Sequence, residues 1–401
     1  MDSRRKFIGA MATGLASTLA SSAGVLGANE RLRIGLIGAG QRGTELLHQA
    51  VACPNVEIAA IADIYAKRLD DARSRMPGAA VYRDHRRLLD DQSIDAVIIA
   101  TPPHLHCEHF ADALAAGKHV YQEKTLAFTL DHAKRMRAAH RHAPKAVVQI
   151  GHQACSSGQM RDAINFLATG QVGEITAIRM HWYRNTPRGK AQWARPVYPD
   201  MTPENIVWNA FLGDAPHRDF DPYRFINWRF FEEYSGGNVY ESLSQQLAFW
   251  YRALNLQIPQ AATMTGGLYL WKDGRDVPDT MNVTLQQPEQ MLVSWDSGLG
   301  NSQLGIAEDV LGSDGAISRT PSGIRYVPQK VNRPDGVEVA GKIASFPTAH
   351  MQNFVDCIRS GQEPHCPFEL GYRVSIACRM AIESFHQGRT VRWDPRTETI
   401  V

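Results

Sequence analysis

No stretch of this sequence has the uninterrupted apolar length that a membrane-spanning helix needs, because glycine, serine and threonine break up even the apolar run near the N-terminus. Cysteine is scarce. The six residues, Cys53, Cys107, Cys155, Cys357, Cys366 and Cys378, are scattered without the paired spacing of a zinc site, so no metal is expected. Cys357 and Cys366 could pair in an oxidising compartment, but buried free thiols are the reading adopted. An excess of either charge is also missing: Lys and Arg number 43 against 41 Asp and Glu. Without Asp2, Arg4, Arg5 and Lys6 of the first 28 residues, the balance is 40 against 40. That gives no electrostatic case for nucleic acid or an anionic membrane and points to a small, mostly neutral substrate. Internal repeats and further low-complexity segments are absent.

What is present is enough chain for two domains, read as 31–150 and 151–401 after an N-terminal segment 1–28. In that segment Ser3-Arg4-Arg5-Lys6-Phe7-Ile8 precedes a weakly apolar run and resembles a twin-arginine export signal; the alternative is a basic, disordered tail. The resemblance implies a folded protein handed to the twin-arginine export machinery, loaded with any cofactor beforehand, and delivered to the periplasm or beyond. Stable insertion in the membrane is not expected.

The most informative stretch is 33–63. Ile34-Gly35-Leu36-Ile37 reads as a buried strand, leading into Gly38-Ala39-Gly40-Gln41-Arg42-Gly43, a G-x-G-x-x-G turn. Thr44 to Ala52 reads as a helix, and Val56 to Ala62 as a second strand that ends in Asp63, twenty residues past Gly43. Gly38 permits the tight turn, Gly40 the approach of a pyrophosphate, and Gly43 close helix packing, while the helix N-terminus offers amides to phosphate. Asp63 can accept from a ribose diol and repels a 2'-phosphate, which favours NAD over NADP. The full strand, turn, helix, strand and acid sequence is the context that the motif requires. An empty crevice in a fold of the same class is the bland alternative.

Helices and strands then alternate to Ile150. The strand Ala96 to Ala100 ends in Thr101-Pro102-Pro103-His104-Leu105-His106, a loop that should face the nicotinamide half of the crevice. His106 there serves either the cofactor or local packing. Lys118 to Tyr121 is the next strand, followed by Gln122-Glu123-Lys124-Thr125; a lysine at that strand end can hold a substrate hydroxyl and stabilise a developing alkoxide. In the second half a strand Ile175 to Trp182 runs into Tyr183-Arg184-Asn185 and a long irregular stretch, Thr186 to Asn205. Trp193, Trp208 and Trp228 are candidates to stack on sugar rings or to fill a core. Several alternating strands follow, with Gly312-Ser313-Asp314-Gly315 as a hairpin turn, residues 323–344 polar and unpatterned, and closing helices at Ala349 to Arg359 and Leu370 to Gln387, the latter returning towards the first domain.

Taken together, the glycine motif, the Thr101 to His106 loop, Glu123-Lys124, Gly151-His152-Gln153, Trp208 to Pro216, Asn227-Trp228-Arg229, Gly236-Gly237 and His350 to Pro364 resemble the Gfo/Idh/MocA family of oxidoreductases. The resemblance implies an α/β chain: an N-terminal Rossmann domain, then an α/β domain with a large, mainly antiparallel sheet whose outer face forms homo-oligomers. It implies that Lys124 is catalytic, with Thr125 in place of the family's proline. Gly38, Gly40, Gln41, Arg42, Gly43, Asp63, Thr101, Pro102, His106, Glu123, Lys124 and Gln153 are the cofactor candidates; His152, Arg184, Trp193, Trp228, Arg229 and Gln245 are those for the substrate.

One departure matters. Relatives place a histidine one turn after an acid on the helix following the glycine pair, and that histidine acts as general base; this chain keeps Glu241 but carries Gln245, which cannot take a proton. Proton transfer then falls to Lys124, Glu241 or Tyr183. Three readings follow: an exported NAD-dependent oxidoreductase of a sugar or polyol hydroxyl with a retained, recycled cofactor; a redox-neutral NAD-dependent glycoside hydrolase, in which Tyr183 matches a tyrosine of such enzymes; and an NAD-loaded sugar-binding protein without catalysis.

Overall fold

Short apolar strands that are wholly buried need cover on both faces, and here they receive it. In the computed structural model, which describes residues 31–341 and 349–401, β1 (Leu32–Ile37), β2 (Val56–Ala62), β3 (Ala80–Tyr82), β4 (Ala96–Ile99), β5 (His119–Gln122) and β6 (Val148–Ile150) form one sheet in the order β3-β2-β1-β4-β5-β6. All of its pairings are parallel. The chain order reverses between β1 and β4, so a crevice opens at their C-terminal ends. The crossover helices are α1 (Gln41–Val51), α2 (Ala66–Arg75), α3 (His85–Leu89), α4 (His106–Ala115) and α5 (Leu130–His142). Side-chain caps fix some starts: Asp84 accepts from the Arg86 amide and Thr129 from that of His132. The first helix begins at Gln41, within the glycine motif, three residues before the expected Thr44. The segment 1–28, read as a signal, lies outside the described residues.

After α6 (Gly158–Leu167) come β7 (Ile175–Tyr183), the short helices α7 (Trp208–Leu212) and α8 (Pro222–Ile226), and α9 (Ser244–Leu254). The remaining strands are β8 (Ala261–Gly267), β9 (Thr280–Gln286), β10 (Leu292–Gly298), β11 (Ile306–Gly312), β12 (Gly315–Thr320), β13 (Gly323–Pro328), β14 (Val339–Ala340), β15 (Val391–Asp394) and β16 (Thr399–Ile400). With β7 they build a ten-stranded sheet, antiparallel at every pairing except β7 with β10. Residues 323–344 are therefore not structureless: Gly323 to Pro328 pair with β12, alternating buried Ile324 and Tyr326 with more exposed neighbours, and only 342–344 lie outside the described residues. Tyr326 sits within 3 Å of where a Cβ on Gly315 would stand, so the tyrosine packs where the hairpin has no side chain.

The closing helices are α10 (Ala349–Ser360) and α11 (Phe368–Gln387). Gly371 of α11 lies against Ile150 of β6, and Phe368, Tyr372 and Ala377 share one buried cluster with Val97, Ile99 and Val120 of the first sheet. The expected return of this helix to the first domain is what the structure has. All six cysteines are buried free thiols. Among the described residues no helix is long and apolar enough to cross a membrane.

Candidate active site

The crevice begins at the glycine turn. Gly38 has φ +95°, and a Cβ there would stand 2.9 Å from the Ala100 carbonyl oxygen, so conformation and space both demand glycine. A Cβ on Gly43 would lie 1.9 Å from the Gly38 carbonyl oxygen: the turn folds directly onto the first turn of α1. Gly40 caps that helix without any side-chain acceptor, leaving its first amides for an anion. Asp63 is almost fully buried. Its Oδ2 accepts from the Ala39 amide at 2.7 Å and its Oδ1 from the Tyr65 amide at 2.9 Å, with the Arg68 guanidinium 3.5 Å away. The carboxylate thus clamps the turn, and each oxygen keeps a second lone pair for a ribose.

A strap from the second half crosses this end. Ile206 forms a β-bridge with Tyr65, the Ala66 amide donates to Asn205 O, the Val207 amide donates to Ile64 O, and Tyr65 Oη donates to Asp200 at 2.5 Å. Further along the strap Arg195 reaches Gln41 of the glycine turn. Beneath it Tyr65, Met201, Ile206, Phe211 and Phe225 form their own apolar cluster. The crevice so enclosed has a volume of about 1140 Å³, above the roughly 300–1,000 Å³ of ordinary small-molecule sites, as a dinucleotide plus a substrate requires.

At the other end, Lys124 follows β5. Its Nζ donates to Glu241 Oε2 at 2.7 Å and to the Glu241 carbonyl at 3.3 Å. Glu241 sits in a π-helical turn, Val239–Leu243, a geometry frequent at functional sites. Its other oxygen accepts from Arg229 Nε at 3.1 Å, and Arg229 lies 4.2 Å over the Trp228 ring. Burial opposes ionisation of Glu241, but Arg229 and Lys124 overcome it and hold the carboxyl at about 2. Gln245 Nε2 donates to the Glu241 carbonyl at 2.6 Å. Between the two ends Glu123 Oε1 accepts from Arg42 Nε at 2.8 Å and from Gln153 at 3.1 Å, and its Oε2 accepts from the Lys124 amide at 3.2 Å. The glycine turn and the lysine are therefore linked through one carboxylate.

Of the residues singled out in the sequence, Gly38, Gly40, Gln41, Arg42, Asp63, Thr101, Pro102, Glu123, Lys124, Gln153, Trp193, Trp228, Arg229, Glu241 and Gln245 line the crevice. Gly43 lies behind it, against Gly38. His106 is fully buried, its ring spanning the carbonyls of Thr125 and Thr101 at 2.9 Å each, and so ties the lysine turn to the Thr101 loop from behind. His152 is buried with no protein partner on either ring nitrogen among the described residues; burial and then Lys124 push it down to about 3. Tyr183 stands off the crevice wall, packed over Gly298, and burial followed by the Asp296 carboxylate pushes its phenol up to about 12. Arg184 lies over the Trp182 ring at 4.7 Å. Trp208 stacks on Phe211 and donates to Arg218 O, as a core residue does. Arg68, Arg83, His109, Gln192, Arg195 and Tyr198 also line the crevice and carried no sequence signal, since each depends on how a strand end or the irregular strap folds back.

Residues 32–152 match the model of the GFO_IDH_MocA family, described as an oxidoreductase family with an NAD-binding Rossmann fold. The chain is 30% identical over 191 residues to an inositol 2-dehydrogenase of Rubrobacter xylanophilus, covering 47% of this chain and 51% of that one, so it spans about half the length of this curated relative. In fold it is similar to a levoglucosan dehydrogenase solved with NADH and levoglucosan, with a TM-score of 0.71, 19% identity and coverage of 90% of this chain and 99% of that one. It is also similar to an aldose-aldose oxidoreductase of Caulobacter crescentus, with a TM-score of 0.67, 19% identity and coverage of 90% and 99%.

Proposed function

We propose, from the fact that residues 32–152 carry the NAD-binding Rossmann domain of the Gfo/Idh/MocA oxidoreductases, that this protein is an exported enzyme that oxidises a hydroxyl of a sugar or polyol with NAD. The carrying observation is Lys124, whose Nζ stands at the reacting end of the crevice, held at 2.7 Å by Glu241. NAD, cradled by the glycine turn and Asp63, would supply the hydride acceptor. The protein supplies the rest. Lys124 donates to the reacting oxygen and stabilises negative charge as it develops there. Glu241, held at about 2, stays a carboxylate and orients Lys124 and Arg229 rather than accepting a proton. Gln245 cannot take one, Tyr183 stands away from the wall, and Lys124 is already a donor to Glu241 and to the reacting oxygen, so the hydroxyl proton leaves to water. The same position of Tyr183 weighs against the glycoside hydrolase.

The strap supports a cofactor that stays bound between turnovers and is recycled by a second substrate, since opening it means breaking the pairing at Tyr65 and the Asp200 and Arg195 contacts. Purified protein should release nicotinamide on denaturation and show bound NAD being reduced by members of a sugar and polyol panel. An empty supernatant, with no binding of added NAD, would end this reading. Export rests on Arg4 and Arg5, and replacing both by lysine should retain the protein in the cytoplasm; unchanged export would refute it. A homo-oligomer is proposed through the sheet face opposite α9 and α11, where Leu292 and Leu311 flank Ala177 in register and are exposed; a single-chain mass by light scattering would exclude it.

A further inference from the structure

The arm of the strap that covers the crevice hangs from one residue. Gln192, Trp193, Arg195 and Tyr198 line the crevice, yet among the described residues every hydrogen bond that leaves the strap between 186 and 199 is made by Arg195. Its peptide is held on one side: the Arg195 amide donates to Asn227 Oδ1 at 2.7 Å, and Asn227 Nδ2 donates to the Arg195 carbonyl at 3.0 Å. Its guanidinium is held on the other, where Nη2 donates to Gln41 Oε1 in the first turn of α1. Gln41 Nε2 donates to Glu45 at 3.2 Å, which leaves Oε1 for the strap.

Asn227 is itself firmly seated. It is buried at the bend between α8 and a short 3-10 turn, Trp228–Phe230; its amide donates to Tyr223 O and its carbonyl accepts from the Phe230 amide, both at 2.9 Å. Phe225 and Phe230, on either side of it, are buried in the apolar cluster beneath the strap. A side-chain amide that both accepts from and donates to one peptide fixes that peptide in two directions, and no other side chain of this length carries both functions. The buried amide is satisfied only while the strap is in place. Two residues before Arg195, Trp193 has φ +68°, in a turn closed by the Ala194 amide on Ala191 O. A tryptophan in the left-handed region is strained and persists only where its surroundings hold it, and the clamp on Arg195 is the nearest such hold.

The residues after Asn227 carry the reacting end. Trp228 lines the crevice with Arg229 4.2 Å over its ring, and Arg229 bonds the Glu241 that holds Lys124. At the cofactor end Arg42, next to Gln41, returns through Glu123 to the Lys124 amide. The contacts thus close a ring, of which the strap supplies the span from Asn227 through Arg195 to Gln41. We propose that Asn227 is a positioning residue that joins the strap to the substrate wall and so governs exchange of the nicotinamide cofactor, this span acting as one bridge across the crevice. Asn227 does not line the crevice and acts through Arg195. The proposal rests on the NAD reading for its ligand and deepens it by naming the joint that opens.

The test uses the full chain loaded with NAD and follows displacement of the bound nicotinamide by isotope-labelled NAD. N227A should speed exchange by roughly 10- to 100-fold, the size of two hydrogen bonds to one peptide. N227D keeps the acceptor for the Arg195 amide and loses the donor, so it should fall between. R195A removes an exposed side chain and breaks the same bridge at Gln41, so it too should speed exchange. Links in series open together: N227A with R195A should be no faster than the quicker single variant. A merely structural role for Asn227 would lower the thermal midpoint but leave R195A as slow as the parent, or make the two effects multiply. Either result, or exchange unmoved by N227A, overturns the proposal; where N227A does not fold, N227D and R195A carry the same comparison. Labelled NAD that binds but exchanges at one rate in all variants keeps the NAD reading and sinks the bridge. Protein that neither holds nicotinamide nor takes up labelled NAD sinks the NAD reading itself.

Discussion

The two ends of the crevice are built on opposite plans. At the cofactor end the principal parts, Gly38, Gly40, Gly43 and Asp63, lie within a single strand-turn-helix-strand unit, and their contacts are with backbone: Ala100 O, Gly38 O, and the amides of Ala39 and Tyr65. At the reacting end Lys124, Arg229 and Glu241 come from three separate segments and meet mainly through side chains. A site made of backbone tolerates no added atoms but places few demands on side-chain chemistry. A site made of converging charges has the reverse sensitivity. The lesson is that binding and reaction here should fail separately.

The largest effect expected from this division is at Lys124. Lys124→Ala should lower kcat/KM by about 10³-fold, the loss of one positioned charge at the developing alkoxide, while bound nicotinamide is retained. If nicotinamide is lost together with activity, the ends are not separable. Next comes Gly43→Ala. The new Cβ, 1.9 Å from the Gly38 carbonyl oxygen, must push the turn aside, and an ångström of misplacement costs on the order of 10²-fold. Here nicotinamide content should fall first, as measured by release on denaturation; a variant that keeps it would show that the turn has slack.

A smaller, graded effect concerns what lies behind both ends. Three buried histidines lie behind these walls: His104, held by Phe211 O at 2.7 Å, His152, in the field of Lys124, and His350, held by Ile150 O at 2.9 Å. Burial is the leading cause that pushes His104 down to about 4 and His152 and His350 to about 3. These rings are neutral when folded and bind a proton near their ordinary value of about 6.5 when unfolded. Between those values the unfolded chain holds more protons, so the stabilisation is complete above about pH 6.5 and declines as pH falls towards 4. Thermal midpoints should drop by several degrees from pH 7 to pH 5, and His350→Gln should flatten that slope. A midpoint independent of pH over this range would mean the rings are not buried neutral.

The same contrast explains what could be read beforehand. The glycine turn was legible because its spacing encodes its geometry: each glycine answers a backbone contact a few residues away, and the strand before it and Asp63 after it fall in register. The parallel sheet was legible because Ala96 to Ile99 have no polar residue to expose. By contrast, the strand Gly323 to Pro328 is hidden in the sequence, since Arg325 and the surrounding polar residues mask a half-buried alternation that only β12 makes favourable. Among candidate site residues, Gln245 could be recognised as an altered position, but not the consequence, which needed the distances around Glu241. Tyr183 and His106 follow strand ends that face the crevice, yet one side chain leaves the crevice wall and the other spans two carbonyls behind it.

Sequence by itself determined the glycine turn, the α/β class and the place of Lys124 just past a strand end, because each depends on local periodicity or on residues whose spacing fixes their contacts. Tertiary structure alone decided which charges meet: that Arg229 and Lys124 share one carboxylate, that Glu123 joins Arg42 to the lysine turn, and that the strap closes over the turn that follows Asp63. Such pairings join residues from 12 to more than a hundred positions apart. Coulomb energies depend on distances of a few ångströms, which no residue count along the chain supplies.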